Sequence, residues 1–236
     1  KNNNIKFDYI IHCAGESTVK QSFKNNKNEN DIFITNEILN YMNFYQRKAN
    51  LIFLSSASVY GNSIKQGLLE PISPYGKNKL KCEKIIKKKS SKFNLNYKIL
   101  RFFSIYGNGL KKQLIWDACM KIKHKDFTFF GNGNEVRSWM HINDVVNIFQ
   151  KIIFNKTANK KIFNFCGTQK MTNEKILKLI FRFNNSKFKP IFNHKYHKGN
   201  PFFMYLKKCD LKKIKYKQKI KFHSGIKNYI EWFKKQ

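Results

Sequence analysis

Short apolar runs alternate with longer amphipathic stretches along the first hundred residues. Phe7–His12 (FDYIIH), Leu51–Ser55 (LIFLS) and Tyr97–Phe102 (YKILRF) are runs of apolar or β-favouring residues, the pattern of strands buried on both faces. Between them, Asp31–Arg47 and Pro74–Lys89 repeat apolar side chains at three- and four-residue steps, which predicts helices. Pro74 suits a first helical turn, and Ser73 is placed to cap it. This alternation of strand and helix implies a parallel sheet with right-handed crossovers. After Tyr106-Gly107-Asn108-Gly109 the texture changes. A helix near Lys111–Lys123 leads to the apolar run Phe127–Phe130 and a turn signal, Gly131-Asn132-Gly133-Asn134. Further helices are predicted at Asn143–Phe154, Thr172–Phe183 and Ser224–Lys235. The runs Lys87–Lys89 and Lys234–Lys235 read as solvated helix ends, where lysine complements the helix dipole. No internal repeat is present.

Composition narrows the class. Hydrophobic residues make up 42% of the 236 and aromatics 16%, which excludes intrinsic disorder despite a formal net charge of +33. The charge invites a nucleic-acid reading. However, only Arg47, Arg101, Arg137 and Arg182 are arginines among 47 basic residues, and phosphate and base recognition favour the arginine fork. Lys, Asn, Ile, Phe and Tyr are the residues that A/T-only codons encode, so a skewed genome accounts for the basicity better than a polyanion partner. The apolar runs are too short to span a bilayer, so no membrane partner is expected. Cys13, Cys82, Cys119, Cys166 and Cys209 form no CxxC pair. Neither a metal site nor a disulfide framework is implied, and a reducing cytoplasm fits best.

The sharpest chemistry lies in Ser55-Ser56-Ala57-Ser58-Val59-Tyr60-Gly61, at a strand end, and in Ser73-Pro74-Tyr75-Gly76-Lys77-Asn78-Lys79. Tyr75 and Lys79 are four residues apart and share one helix face. Tyrosine is a poor base at its ordinary pKa near 10, and an ammonium beside it is expected to favour the phenolate. A serine hydroxyl from the strand end can hold the substrate oxygen whose proton moves. Tyr-x-x-x-Lys alone is a weak signal in a lysine-rich chain.

Its surroundings make it specific. In one order stand Asp8-Tyr9-Ile10-Ile11-His12-Cys13-Ala14-Gly15, the serine-rich strand end, Pro74-Tyr75-Gly76-x-x-Lys79, Leu100–Gly107 and Arg137-Ser138-Trp139-Met140-His141-Ile142-Asn143-Asp144. This succession resembles the extended short-chain dehydrogenases, in particular the NAD-dependent nucleotide-sugar epimerase/dehydratase family, over nearly the whole chain. The resemblance implies a doubly wound Rossmann-type α/β fold. Residues 1–110 would hold the remaining part of the NAD-binding domain, and 111–236 mainly a smaller mixed substrate-binding lobe with some elements returning to the sheet.

The resemblance also implies roles. Tyr75 would take the proton from a sugar hydroxyl as hydride passes to the nicotinamide. Lys79 would hold the nicotinamide ribose and depress the tyrosine pKa, and Ser56 would orient the sugar hydroxyl. Cys13, Ala14 and Gly15 match the segment that runs along the cofactor, Asn36 a helix-borne asparagine near it, and Phe103 a residue beside the nicotinamide. Arg137 matches the arginine that pairs with the nucleotide diphosphate. Ser104 and His197 occupy substrate-side positions where asparagine and arginine are common, and Ser138 replaces an acid. His12 and His141 are expected to be structural. Ser56-Ala57-Ser58 lacks the Asp-Glu pair of a 4,6-dehydratase, which favours epimerisation or keto-reduction.

No G-x-G-x-x-G precedes the first strand; Gly131-Asn132-Gly133 falls in the other lobe. The chain therefore reads as an N-terminally truncated enzyme that does not turn over by itself. The implied activity is 4-epimerisation of a UDP-hexose with NAD (NADP remaining open) through a transient 4-keto sugar, in a homodimer built on the helices holding Phe44 and Ile85. The alternatives are a nucleotide-sugar 4-ketoreductase or dehydratase, and a non-catalytic basic scaffold for RNA or another polyanion.

Overall fold

The computed structural model describes residues 5–16, 18–24, 30–154 and 161–236. The first elements are β1 (Tyr9–His12), α1 (Val19–Lys24), α2 (Asn30–Tyr45), β2 (Asn50–Ser56), a 3-10 turn (Ala57–Tyr60), α3 (Pro74–Phe93) and β3 (Asn96–Phe102). There follow β4 (Ser104–Tyr106), α4 (Gln113–Lys123), β5 (Thr128–Phe129), β6 (Val136–His141), α5 (Ile142–Phe154) and β7 (Lys161–Phe165). The chain continues with β8 (Lys170–Thr172), α6 (Asn173–Phe183), β9 (Ile191–Phe192) and β10 (Phe203–Met204). A second 3-10 turn (Asp210–Ile214) and α7 (Phe222–Phe233) complete it.

The main sheet has the order β1-β2-β3-β7, and all its pairs are parallel. Strand alternation sorts its apolar residues onto two faces. Leu51, Phe53 and Ile99 pack beneath α2 and α3 against Leu39, Met42, Cys82 and Ile86. Ile52, Leu100 and Phe102 face the other way, against Val145, Ile148 and Ile152 of α5 and Leu211 and Ile214. Both faces are thus covered, as the continuous apolar strands demand. This is the doubly wound α/β fold, each fully buried Leu, Ile or Phe contributing roughly 1.5–3 kcal/mol.

Past Phe102 the chain changes sheet. The Phe103 N–H still donates to Phe165 O (3.1 Å), but β4 pairs with β6 in a second sheet of order β10-β6-β4, with β8 antiparallel on β6. β5 and β9 form a separate parallel pair. A third core, with Tyr106, Phe129, Trp139, Ile176, Ile180, Ile226 and Tyr229, joins α4, α6 and α7. α5 and β7 return to the main sheet. Among the described residues no helix is long and apolar enough to cross a membrane.

Ser73 caps α3 as its position predicted, its Oγ accepting from the Gly76 N–H at 3.1 Å, with Pro74 in the first turn. α3 runs on to Phe93 and stops at Asn94, whose φ of 50° breaks the helix. Lys87–Lys89 therefore lie inside the helix and not at its end, and Lys89 Nζ donates to Asn40 Oδ1 of α2 (2.9 Å).

Candidate active site

The end of β2 and the start of α3 build the site. Gly76 allows them to meet, since a Cβ there would sit 2.4 Å from Ser58 O. Ser56 closes β2 and caps the turn after it, its Oγ accepting from Ser58 N–H at 3.1 Å. Tyr75, in the first turn of α3, reaches across so that its phenol lies near the Ser56 hydroxyl, which works to lower the phenol's pKa. One helical turn on, Lys79 is 5% exposed, with its Nζ over the rings of Phe53 (5.2 Å to the centroid) and Tyr75 (5.8 Å). Ser56, Tyr75 and Lys79 are thus brought together.

Their electrostatics correct one expectation. Burial pushes the Tyr75 phenol above its ordinary value, and the carboxylates of Asp31 and Glu16 add to this, while the Ser56 hydrogen bond opposes it. The ammonium lies over the ring, and in the free chain burial still leaves the phenol above its ordinary value. Burial likewise lowers Lys79, against the support of Asp31, Cys82, Cys13 and Glu16.

Asp31 is the residue that sequence reasoning missed. It opens α2, is 6% exposed, and accepts from Glu16 N–H through Oδ1 (2.9 Å), while Oδ2 has no partner among the described residues. Gly15 packs directly on it: at φ 130°, a Cβ would lie 2.8 Å from the carboxyl. The acid in a helix's first turn reads in sequence as a dipole effect, which hides its second role. Asn36, the expected helix asparagine, lies elsewhere. Its Nδ2 donates to Ile32 O (3.1 Å), and it lines a shallow groove with Ile85, Lys88 and Phe93 on the outside of α2 and α3.

Cys13, Ala14 and Gly15 are exposed at the end of β1, and the Cys13 thiol is raised by burial against the pull of Lys79. His12 is structural. Thr35 Oγ1 donates to Asp31 O (2.7 Å) and so accepts from His12 Nε2–H (2.9 Å), leaving Nδ1 unprotonated and without a partner among the described residues. Burial, then Lys79, lowers its pKa to about 4. His141 accepts from Asn143 N–H through Nδ1 (3.2 Å) and packs edge-on against Tyr106.

The remaining expected residues lie on the other lobe or at its junction. Phe103 stacks on Tyr60 (6.2 Å between centroids). Ser104 Oγ contacts Met204 Sδ (3.6 Å). Arg137 spends its guanidinium on backbone carbonyls: Pro201 O (2.7 Å), Phe202 O (2.9 Å) and Val136 O (3.0 Å). Burial lowers its pKa to about 10. His197 stacks on Phe130 (3.8 Å between centroids). The segment from His197 to Phe202 spans the two lobes. Gly199 packs against Phe23 of α1 and the α3 cap Ser73, and Phe202 N–H donates to Asn62 Oδ1 (2.6 Å).

The chain has counterparts among known proteins. The model of the NAD dependent epimerase/dehydratase family matches residues 2–166. The chain belongs to this family. An uncharacterized UDP-glucose epimerase of Bacillus subtilis is 31% identical over 137 residues, 55% of this chain and 43% of that protein. A dTDP-D-glucose 4,6-dehydratase of Dictyostelium discoideum is 28% identical over 195 residues, 74% of this chain and 44% of that protein. The matched part is thus less than half the length of these two relatives. The UDP-glucuronic acid 4-epimerase of Bacillus cereus, solved with UDP-glucuronic acid and NAD, shares the fold at a TM-score of 0.88 and 21% identity, covering 97% of this chain and 76% of that one. In this epimerase/dehydratase family member, Ala57 and Ser58 are both buried in the turn after Ser56 and carry no acid.

Proposed function

We propose that the chain carries the catalytic part of an NAD-dependent nucleotide-sugar epimerase acting at C4 of a UDP-hexose. The observation that carries this reading is the Ser56–Tyr75–Lys79 cluster, with the Tyr75 phenol near the Ser56 hydroxyl and Lys79 buried over its ring. When bound, the nicotinamide supplies a reversible hydride acceptor. Tyr75 Oη takes the C4 hydroxyl proton and later returns it, and Ser56 Oγ holds the same sugar oxygen. Ala57 and Ser58 offer no acid–base pair for eliminating water, so the reading is epimerisation and not dehydration.

The residues beside the cluster fit a dinucleotide ribose. Gly15 leaves the backbone bare, Asp31 Oδ2 is an unpaired acceptor among the described residues, and Lys79 is a donor that makes no ion pair there. Arg137 would give up its carbonyl bonds to meet the nucleotide diphosphate, with His197 and Ser104 on the substrate side. A homodimer through α2 and α3 belongs to the same reading, because Phe33 and Phe44 are 65% and 73% exposed on α2. Five free cysteines fit a cytoplasmic enzyme.

Coupled assay of UDP-glucose/UDP-galactose interconversion with NAD tests the reading. With the chain joined to a Gly-rich dinucleotide-binding segment, turnover that Tyr75→Phe lowers by about 10²–10⁴-fold is expected. NADPH-dependent reduction of a 4-keto sugar nucleotide, without interconversion, would replace the epimerase by the ketoreductase.

A further inference from the structure

Cys166 follows β7 directly, and Cys209 immediately precedes the second 3-10 turn. They are 43 residues apart in sequence, yet the fold packs both into one apolar cluster. Asn164, two residues before Cys166, holds Asp210, the residue after Cys209. Its N–H and its Nδ2 both donate to Asp210 Oδ2, at 2.8 and 3.1 Å. This double bond of strand end to turn start aligns the two cysteines within one apolar cluster, together with Tyr60, Phe103 and Leu206.

The two thiols lie in the same apolar cluster, flanked by the Asn164–Asp210 clamp, and each perturbs the other's titration, raising Cys166 and lowering Cys209. Cys166 is buried and Cys209 is half-buried, so solvent meets only one of them readily. The Cys166 thiol first, and then the backbone N–H groups of Leu211 and Cys166, bring the Cys209 pKa down to about 6 against the cost of burial. The other thiols differ. Cys82 and Cys119 sit in separate cores, and Cys13 is exposed beside Lys79.

We propose that Cys166 and Cys209 form a reversible dithiol–disulfide site, oxidised by a small peroxide and restored by a thiol reductant. The Cys209 thiolate attacks hydrogen peroxide, cleaving the O–O bond to give a sulfenic acid and, after proton uptake, water. The Cys166 sulfur then attacks the sulfenic sulfur, the S–S bond forms, and the sulfenic oxygen leaves as a second water. Two thiols and one peroxide thus become one disulfide and two waters; thiol exchange reverses the oxidation. The bridge would pin the segment leading into Cys209 to the end of β7. That segment supplies the Pro201 and Phe202 carbonyls that hold Arg137, and the Met204 that meets Ser104. The oxidation state would therefore set how freely the substrate side of the cleft adjusts.

The test needs no turnover. The chain is treated with hydrogen peroxide, denatured, and its thiols are tagged with a maleimide before mass spectrometry. The expected result is loss of two tags, with the Cys166 and Cys209 peptides joined and two hydrogens lighter. A melting temperature higher by roughly 5–10 °C, reversed by dithiothreitol, should accompany it. Cys209→Ser, at a half-buried position, should fold and lose both the bridge and the shift. Cys166→Ala provides the second arm. A bridge between chains through Cys13, peroxide driving Cys209 to sulfinic acid with Cys166 still free, or no loss of tags would each overturn the proposal.

Discussion

The Lys79 ammonium sits 5.8 Å from the centroid of the Tyr75 ring and 5.2 Å from that of Phe53. An ammonium over ring faces gains a cation–π attraction, yet burial still lowers its pKa. The unfolded chain holds the Lys79 proton more firmly than the folded one, so at neutral pH a charged Lys79 costs stability. Lys79→Met should therefore keep or raise the melting temperature while abolishing turnover. Tyr75→Phe should lower kcat by about 10²–10⁴-fold with little change in stability. A Lys79→Met protein that melts well below the parent would show that the ammonium is a structural tie.

His12 makes stability fall in mild acid. Its folded pKa is lowered to about 4 from 6.5, so between those values the unfolded chain takes up a proton that the folded chain refuses. Its contribution is full above about pH 6.5 and is lost as pH falls toward 4, about 3 kcal/mol in all. Urea midpoints across this range, in the parent and in His12→Asn, measure it. The variant should show a flatter dependence over the same window.

Glu83 holds the interior of the same helix. Its carboxylate accepts from Arg101 Nε (2.8 Å) and Nη2 (2.5 Å) and from Ser55 Oγ (2.5 Å), with both charged residues buried. Glu83→Ala strands the guanidinium and should cost about 3–5 kcal/mol in denaturant unfolding. Because Ser55 adjoins Ser56, and Glu83 lies one turn beyond Lys79, residual activity should fall as well. An unchanged unfolding midpoint would refute this.

β1, β2 and β3 were legible as continuous runs of apolar or β-favouring residues, and α3 because Ser73 and Pro74 announce its start, whereas β7, which completes the main sheet, was not. The site motif was legible for a similar reason: Tyr75 and Lys79 need only helical spacing, and Ser56 only a strand end. What stayed hidden depends on pairing across distance. β4, β8 and β10 have two or three residues each, and their identity as strands comes from lying against β6. The predicted helix ended at Lys89, yet α3 continues through Ser90 and Ser91 to Phe93 and stops only at the left-handed Asn94. Asp31 was hidden because nothing local distinguishes a dipole-complementing acid from one that also faces Gly15 and the cluster.

Self-association should follow from α2. Phe33, Tyr41 and Phe44 are large apolar side chains left in solvent on one helix, more than an isolated surface residue explains. Sedimentation at micromolar concentration should report a dimer, and the double variant Phe33→Glu, Phe44→Glu should be monomeric with an unchanged melting temperature. A monomeric parent would remove the dimer from the reading.

Asp31 sets the sign of the last prediction. Its carboxylate and that of Glu16 both push the Tyr75 phenol upward, and both support the charge on Lys79. If turnover requires Tyr75 to accept a proton, the rate climbs with pH as the phenol ionises. Removing the Asp31 charge should move that rise to lower pH. Asp31→Asn keeps the size of the side chain and, through Oδ1, the acceptor for Glu16 N–H, so the fold should hold. It also replaces Oδ2, unpaired among the described residues, with a donor, which should weaken a ribose hydroxyl that donates there. The expected outcome is a kcat/KM profile displaced toward acid together with weaker NAD binding by calorimetry. Glu16→Gln should reproduce the displacement without the loss of affinity. A profile unmoved in both variants would mean that neither carboxylate acts on the catalytic phenol, and that Asp31 serves only to fix the turn at Gly15.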